Sequence, residues 1–379
     1  MFIASSLPMW RYESTLTELA NDSRFSVYVV ITPYLSYSSE ERVMNIASLT
    51  QYFTQTNIEF NIANTAKEFL EIKRRFSPDI IFYPQPYNFI YPVGIDWRQN
   101  LDCLLCYLPY YVVTSSLTYE YDLNFHNALW RFYLQNDFHL RESRRIARNQ
   151  GVNGVVVGDP RAEEFMQSSS RNPWLNIDDG IKRKRLIWAP HFQLVKNDMF
   201  NRPDFLWTAE FMVVMAKKYQ DKLQIAFKPH PRLKSMLYEL PEWGKDRTDE
   251  YYRLWNDMPN TQVEEGEYID LFKTSDALIH NCGSFTGEYF YTGKPAAYIS
   301  RDIENLKASL ISFGQKCIDA HYIVSDENKI EQFIEEVVLK GRDVLRDTRE
   351  KIYCELHTTP NNRTVGENIH EDLVKSLSL

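Results

Sequence analysis

Two short stretches of the chain carry side chains suited to holding a pyrophosphate. The first is Lys228-Pro229-His230-Pro231-Arg232, directly after the apolar run 223–227. Prolines on either side of His230 fix φ and make this turn stiff. Lys and Arg neutralise phosphate charge, and His can donate a hydrogen bond or a proton to it. The same five residues would also suit a plain surface turn with two solvated bases. The second stretch is Asp276-Ala277-Leu278-Ile279-His280 followed by Asn281-Cys282-Gly283-Ser284-Phe285-Thr286-Gly287-Glu288. It reads as a buried strand that turns into a helix. Gly283 permits a tight turn, and Ser284 and Thr286 sit where N–H groups gather at a helix start, which favours anions. Glu288, in the first turn, is placed to accept hydrogen bonds from ribose hydroxyls. Thr286 as a simple cap and Glu288 as a partner of the helix dipole explain the same residues.

Both stretches need a scaffold that delivers strand ends to one edge. At 379 residues the chain exceeds what one core usually organises, so two domains are expected. In the first half, strand-like runs at 25–32, 57–62, 78–83, 104–114 and 155–158 alternate with helix-like runs at 40–54, 65–76 and 124–150, the last with a break near Asn136. Residues 168–180, rich in Ser, Asn, Asp and Pro, read as a linker. The alternation restarts with strands at 184–189, 223–228, 277–280 and 295–299. Helices are expected at 205–219, 268–274 and 287–291, with Gly293-Lys294-Pro295 stopping the last of these. Residues 330–345 and 365–379 also look helical. This order predicts an α/β fold of two Rossmann-like, doubly wound domains facing a central cleft, 1–170 and 181–340. Helices of 341–379 are placed to pack back on the first domain.

Composition narrows the function. A net charge of −8 argues against general nucleic-acid binding. Aromatic residues make up 14%, with 24 Tyr, which suits sugar- or base-lined clefts and also ordinary cores. The five Cys are scattered; Cys103 and Cys106 lie in an apolar run and read as buried structural thiols, with no metal site implied. The opening residues lack a signal-peptide pattern and no stretch is apolar enough to span a bilayer, so a cytoplasmic protein is expected. The run Lys182-Arg183-Lys184-Arg185 reads as a solvated face that would allow at most peripheral contact with anionic lipid. His139, His321, His357 and His370 have no motif around them, and His280 reads as a packed strand residue. His191, at the end of the strand 184–189, is a candidate for the donor pocket. Signatures of metalloproteases, serine hydrolases, P-loop enzymes and common dehydrogenases are missing.

The ordered set Arg185-Leu186-Ile187-Trp188-Ala189-Pro190-His191-Phe192, Lys228 to Arg232, Tyr268-Ile269-Asp270-Leu271-Phe272, Asp276 to Glu288 and Gly293-Lys294-Pro295 resembles the CDP-glycerol glycerophosphotransferases of teichoic-acid and capsule assembly, which have GT-B folds. The resemblance covers residues 185–302 and is weaker before them. It implies that His230 and Arg232 face the donor diphosphate and that Ser284 and Thr286 hold phosphate oxygens, with Gly283, Phe285 and Gly287 completing the donor-binding turn. Lys228 and His191 would assist, and Glu288 would hold the ribose. The chain departs from the family at His280-Asn281-Cys282-Gly283-Ser284 and in the first domain, where a His-Gly pair has no match. His126, followed by Asn127, is the nearest candidate for the acceptor's base.

The expected function is transfer of a phospho-polyol from a CDP-linked donor to a glycan or polyol-phosphate acceptor, either free or lipid-linked. The nucleotide-diphosphate is a substrate, and no cofactor is implied. A glycosyltransferase using a UDP-linked or other nucleotide sugar, a sugar-nucleotide epimerase, and a non-catalytic subunit of a polysaccharide assembly complex are the competing readings.

Overall fold

The computed structural model describes residues 1–169, 171–194 and 204–378. Ser170 of the expected linker and Leu379 of the expected tail helix lie outside them. The chain forms two compact units. One comprises Met1–Val113, Leu117–Glu163 and Thr358–Leu379, the other Thr114–Ser116 and Glu164–His357.

The first unit is built on seven parallel strands: β1 (Phe2–Ala4), β2 (Val29–Ile31), β3 (Phe60–Ile62), β4 (Ile80–Tyr83), β5 (Leu104–Tyr107), β6 (Arg131–Leu134) and β7 (Gly154–Val156). Their order across the sheet is β3-β2-β1-β4-β5-β6-β7. Period-two alternation sends Ile3, Val30, Ile81 and Leu105 to one apolar layer and Phe2, Val29, Ile31, Phe82 and Cys106 to the other. Both faces are covered, as parallel sheets require. The last helix, Val365–Leu377, starts with a capping box on Thr364 and Glu367 and lays Val365, Ile369 and Leu373 into the second layer. It lies against the helix Glu13–Ala20 so closely that a Cβ on Gly366 would meet the Ser14 carbonyl carbon and oxygen at 2.4 Å.

The second unit has six parallel strands: β8 (Lys184–Ala189), β9 (Leu223–Phe227), β10 (Thr261–Val263), β11 (Ala277–His280), β12 (Ala296–Ile299) and β13 (Tyr322–Val324). The order is β10-β9-β8-β11-β12-β13, so the direction of winding reverses between β8 and β11. Trp188, at the end of β8, is wholly buried between Phe205, Phe227 and Trp255, with ring centroids 5.9, 4.9 and 5.3 Å away. The expected linker belongs to this unit: Trp174 is buried and its indole N–H donates to Thr274 Oγ1 at 2.9 Å, while the Leu175 N–H donates to Gln262 Oε1.

Several elements differ from the sequence expectation. The expected long helix 124–150 is a short helix Asn124–Ala128, then β6, then a helix Asp137–Ile146. Arg131-Phe132-Tyr133-Leu134 is an aromatic run that pairs with β5 and β7, and Asn136 ends it by accepting the N–H groups of Phe138 and His139 as a helix cap. Strands β1, β10 and β13, three residues each, lie outside the expected runs, whereas the equally short β2, β3 and β7 overlap the expected runs 25–32, 57–62 and 155–158. The helices Leu233–Glu239, Gly244–Asp257, Ile303–Ala308 and Ser312–Asp319 also went unread. The helix expected at 287–291 is a turn of α-helix, Phe285–Glu288, continued by a 3-10 turn Tyr289–Thr292 and stopped by Gly293 at φ 68°. Among the described residues no helix is long and apolar enough to cross a membrane.

Gly366→Ala should force the tail helix away from Glu13–Ala20 and lower stability by about 1–3 kcal/mol, the usual cost of overpacking. Thermal unfolding of the variant checks this; a melting point equal to that of the parent would show that the helix pair relaxes without cost.

Candidate functional site

Register places three strand ends at one level. Trp188 of β8 pairs with Phe227 of β9, and Ala189 pairs with His280 of β11. The chain therefore leaves β8, β9 and β11 side by side at the carboxyl edge, where the winding reverses. Ligands of open α/β sheets bind at that point.

Hydrogen bonds then lace the three loops together. The His230 N–H donates to the Pro190 carbonyl at 3.1 Å, joining the loops after β9 and β8. Asn281, wholly buried, accepts the His191 N–H on Oδ1 at 2.7 Å and donates from Nδ2 to Asp204 Oδ2 at 3.0 Å. Asp204 also accepts the Trp207 indole N–H at 3.1 Å. The Cys282 thiol donates to the Ala189 carbonyl at 3.4 Å. Three backbone segments from distant parts of the sequence are thus held as one surface.

His191, Phe192, His230 and Arg232 gather on it. The rings of His191 and Phe192 lie 5.0 and 4.5 Å from that of His230, and the Arg232 guanidinium sits 4.5 Å over the Phe192 ring. His230 Nδ1 accepts the Arg232 N–H at 3.1 Å, so the ring proton of the neutral imidazole is on Nε2. Burial, then the positive charges of Arg232 and Lys228, push His230 down to about 4. It is therefore an uncharged N–H donor beside an exposed guanidinium, a combination suited to phosphate oxygens.

The turn after β11 brings Gly283, Ser284 and Phe285 to the partly exposed surface, and their N–H groups precede the first intrahelical bonds. Phe285 packs on Tyr268 and Phe272, at 5.1 and 4.9 Å between ring centroids. The buried Thr286 hydroxyl donates to the Cys282 carbonyl at 3.1 Å, and Gly287 is buried in the helical turn. These two shape the turn, and Ser284 beside them is partly exposed.

Three sequence-predicted roles change. Lys228 is buried and its ammonium donates to the carbonyls of Glu264 and Gly266 at 3.2 and 2.6 Å, so it braces the loop after β10. Glu288 is buried and accepts the Tyr268 hydroxyl, so a phenol takes the place expected for a ribose hydroxyl. His126 lies in the first unit, 2% exposed, stacked on Phe132 at 4.9 Å. Its Nδ1 accepts the Leu123 N–H at 3.2 Å, which leaves the proton on Nε2, and burial pushes it down to about 3. A buried imidazole whose acceptor nitrogen is already used is a packing residue, not an acceptor's base.

Sequence reasoning missed Asn281 as the hub, Phe192 as the platform under Arg232, and the pairing of His280 with His321, Nε2 to Nε2 at 3.0 Å. His321 Nδ1 donates to the Cys317 carbonyl at 2.7 Å, so its Nε2 accepts from His280, whose Nδ1 receives the Cys282 N–H at 3.2 Å. A polar residue following a buried apolar strand was the available signal for Asn281. Nothing in sequence links positions 280 and 321.

Two tandem doubly wound sheets with this strand order define the GT-B class of fold. No protein-family model and no curated protein matches the sequence. Similar solved structures include MnaA from S. aureus in a co-structure with UDP, 12% identical, covering 100% of this chain and 96% of that one with a TM-score of 0.61. The UDP-GlcNAc 2-epimerase of Methanocaldococcus jannaschii in complex with UDP-GlcNAc and UDP is 13% identical, covering 99% of each chain at a TM-score of 0.56. A variant of the wall teichoic acid polymerase TagF soaked with CDPG is 10% identical, covering 100% of this chain and 90% of that one at a TM-score of 0.57.

Buried histidines give the fold an acid limit. His126 is pushed down to about 3, and His139 and His321 to about 4, each by burial. Below pH 6.5 the unfolded chain takes up protons that these folded imidazoles refuse. Their contribution is therefore complete above pH 6.5 and drains away as pH falls toward 4. The melting temperature should fall by roughly 5 °C or more from pH 7 to pH 5; an unchanged value would mean the rings are solvated.

Proposed function

We propose that the chain is a GT-B transferase that binds a nucleotide-diphosphate donor on its second unit and transfers a phospho-polyol, most simply glycerol phosphate, from a CDP-linked donor to an acceptor hydroxyl. The observation that carries the reading is the proline-braced turn His230–Arg232, laced through Pro190 and Asn281 to the turn that opens with Gly283. It supplies a neutral imidazole donor, a guanidinium and helix-start N–H groups around one strand edge, the donor set a diphosphate needs. The likeness in fold to a TagF structure soaked with CDPG supports the CDP-linked donor.

In this reaction an acceptor oxygen bonds to the β-phosphorus while the bond from that phosphorus to the bridging oxygen breaks. The electron pair leaves with CMP, and the acceptor's proton passes to solvent or a basic group. His230 Nε2–H and the Arg232 guanidinium would stabilise charge on the departing phosphate, and the N–H groups of Gly283, Ser284 and Phe285 would hold its partner. Donors already fixed in place cost no reorganisation as charge develops. Because His230 Nδ1 is used by Arg232, the imidazole works as a hydrogen-bond donor and not as the base.

The likeness in fold to UDP-GlcNAc 2-epimerase favours a second reading, inversion of a UDP-linked sugar, which uses the same diphosphate grip and needs no acceptor. Incubation with CDP-glycerol and with UDP-GlcNAc separates the two. The transferase reading expects CMP release that depends on an added acceptor, whereas epimerised UDP-sugar formed without acceptor would replace it. His230→Ala should lower kcat/KM by about 10²–10³-fold with an unchanged circular dichroism spectrum, the usual cost of losing one preorganised donor. Near-parental turnover in that variant would remove His230 from the chemistry.

A further inference from the structure

The turn that opens with Gly283 is supported on its buried side by residues from an unexpected part of the chain. Thr114–Ser116 follows β5 in sequence yet belongs to the second unit. The Ile311 N–H donates to the Thr114 carbonyl at 3.0 Å and the Ser116 N–H to the Ser309 carbonyl at 2.9 Å, while Ser115 forms an antiparallel bridge with Leu310. This strap passes the start of the helix Ser312–Asp319, where a Cβ on Gly314 would meet the Thr114 carbonyl oxygen at 2.4 Å. From there the buried Thr114 donates its hydroxyl to the Gly283 carbonyl at 3.2 Å, across a separation of 169 positions. The same carbonyl accepts the Thr286 N–H at 3.2 Å, so both of its lone pairs are used.

We propose that Thr114 is a positioning residue for the second phosphate of the nucleotide donor, acting through the peptide that joins Gly283 to Ser284. A trans peptide is planar, and its carbonyl and N–H point to opposite sides. Holding the Gly283 carbonyl toward the buried Thr114 therefore turns the Ser284 N–H the other way, toward the partly exposed face of the turn. The preceding peptide is restrained by the same device, because the Cys282 carbonyl accepts the Thr286 hydroxyl at 3.1 Å and the Gly283 N–H lies opposite it. Thr286 is part of the turn itself. Thr114 is the restraint supplied from elsewhere, and the missing side chain of Gly314 is what admits it. The inference rests on the proposed function, which gives the second phosphate to these N–H groups, and it adds to that site two residues that act without touching the ligand.

The test is calorimetry of CDP, UDP and CMP on the full chain, for the parent, Thr114→Val, Thr114→Ser and Gly314→Ala. Valine keeps the branched shape and loses the hydroxyl, whereas serine keeps the hydroxyl. Thr114→Val should weaken CDP binding by about three- to tenfold, the worth of one neutral hydrogen bond. Binding of CMP, which lacks the second phosphate, should stay unchanged, and Thr114→Ser should match the parent. Gly314→Ala should lower CDP affinity as the valine variant does, although alanine is the better helix former. Parental CDP affinity in Thr114→Val or in Gly314→Ala would overturn the assignment. So would an equal fall for CMP and CDP, which marks a merely structural role, or a serine variant as weak as the valine one. A parent chain that binds neither CDP nor UDP would instead defeat the proposed function, so the two failures are told apart.

Discussion

The buried amide of Asn281 is the interaction on which the second unit's strand edge depends. It holds the backbone after β8 with its oxygen and Asp204 with its nitrogen, at full burial. A buried amide left without partners costs about 1–3 kcal/mol per lost hydrogen bond, so Asn281 either makes both contacts or destabilises the edge. Because it does, His191 and Phe192 are carried to the side of His230, and Phe192 provides the ring over which Arg232 lies. The β9 turn contributes the complementary restraint by donating the His230 N–H to Pro190. Prolines 229 and 231 limit the backbone from within the turn, and the two hydrogen-bonded neighbours limit it from outside.

This arrangement decides the protonation chemistry. Burial keeps the His230 imidazole uncharged, and the positive charges of Arg232 and Lys228 add to the effect. The donated Arg232 N–H then selects the tautomer, since protonating Nδ1 would break that bond. Lys228 shows the same economy in another form. Its ammonium donates to two carbonyls of the loop after β10. The cationic character of the five-residue turn is therefore concentrated in Arg232, with His230 as a directional donor.

The two units solve one problem twice with different side chains. Each winds its sheet outward from a central pair of strands, and each exposes loops at the carboxyl edge. In the second unit those loops carry imidazole, guanidinium and a helix start. In the first they carry tyrosines, an exposed phenylalanine and a carboxyl group that accepts the Tyr111 hydroxyl. Fold alone does not assign chemistry to either edge; the side chains do.

What was legible in sequence follows from local physics. Buried parallel strands are continuous apolar runs, so β8, β9, β11 and β12 stood out, and with them the doubly wound class. The proline-braced turn and Gly293 as a helix stop were readable because proline and glycine act on their own backbone. Strands β1, β10 and β13 were not legible, whereas the equally short β2, β3 and β7 were, because the latter overlap longer apolar runs and the former are defined by their neighbours' hydrogen bonds. The aromatic run 131–134 was read as helix because its choice of strand depends on β5 and β7. For the site, residue types alone nominated His230, Arg232 and Ser284, and also Lys228, Glu288 and His126. Only the tertiary structure shows that Lys228, Glu288 and His126 are engaged within the protein, because their partners are distant in sequence: two carbonyls for Lys228, a phenol for Glu288, and an aromatic core for His126.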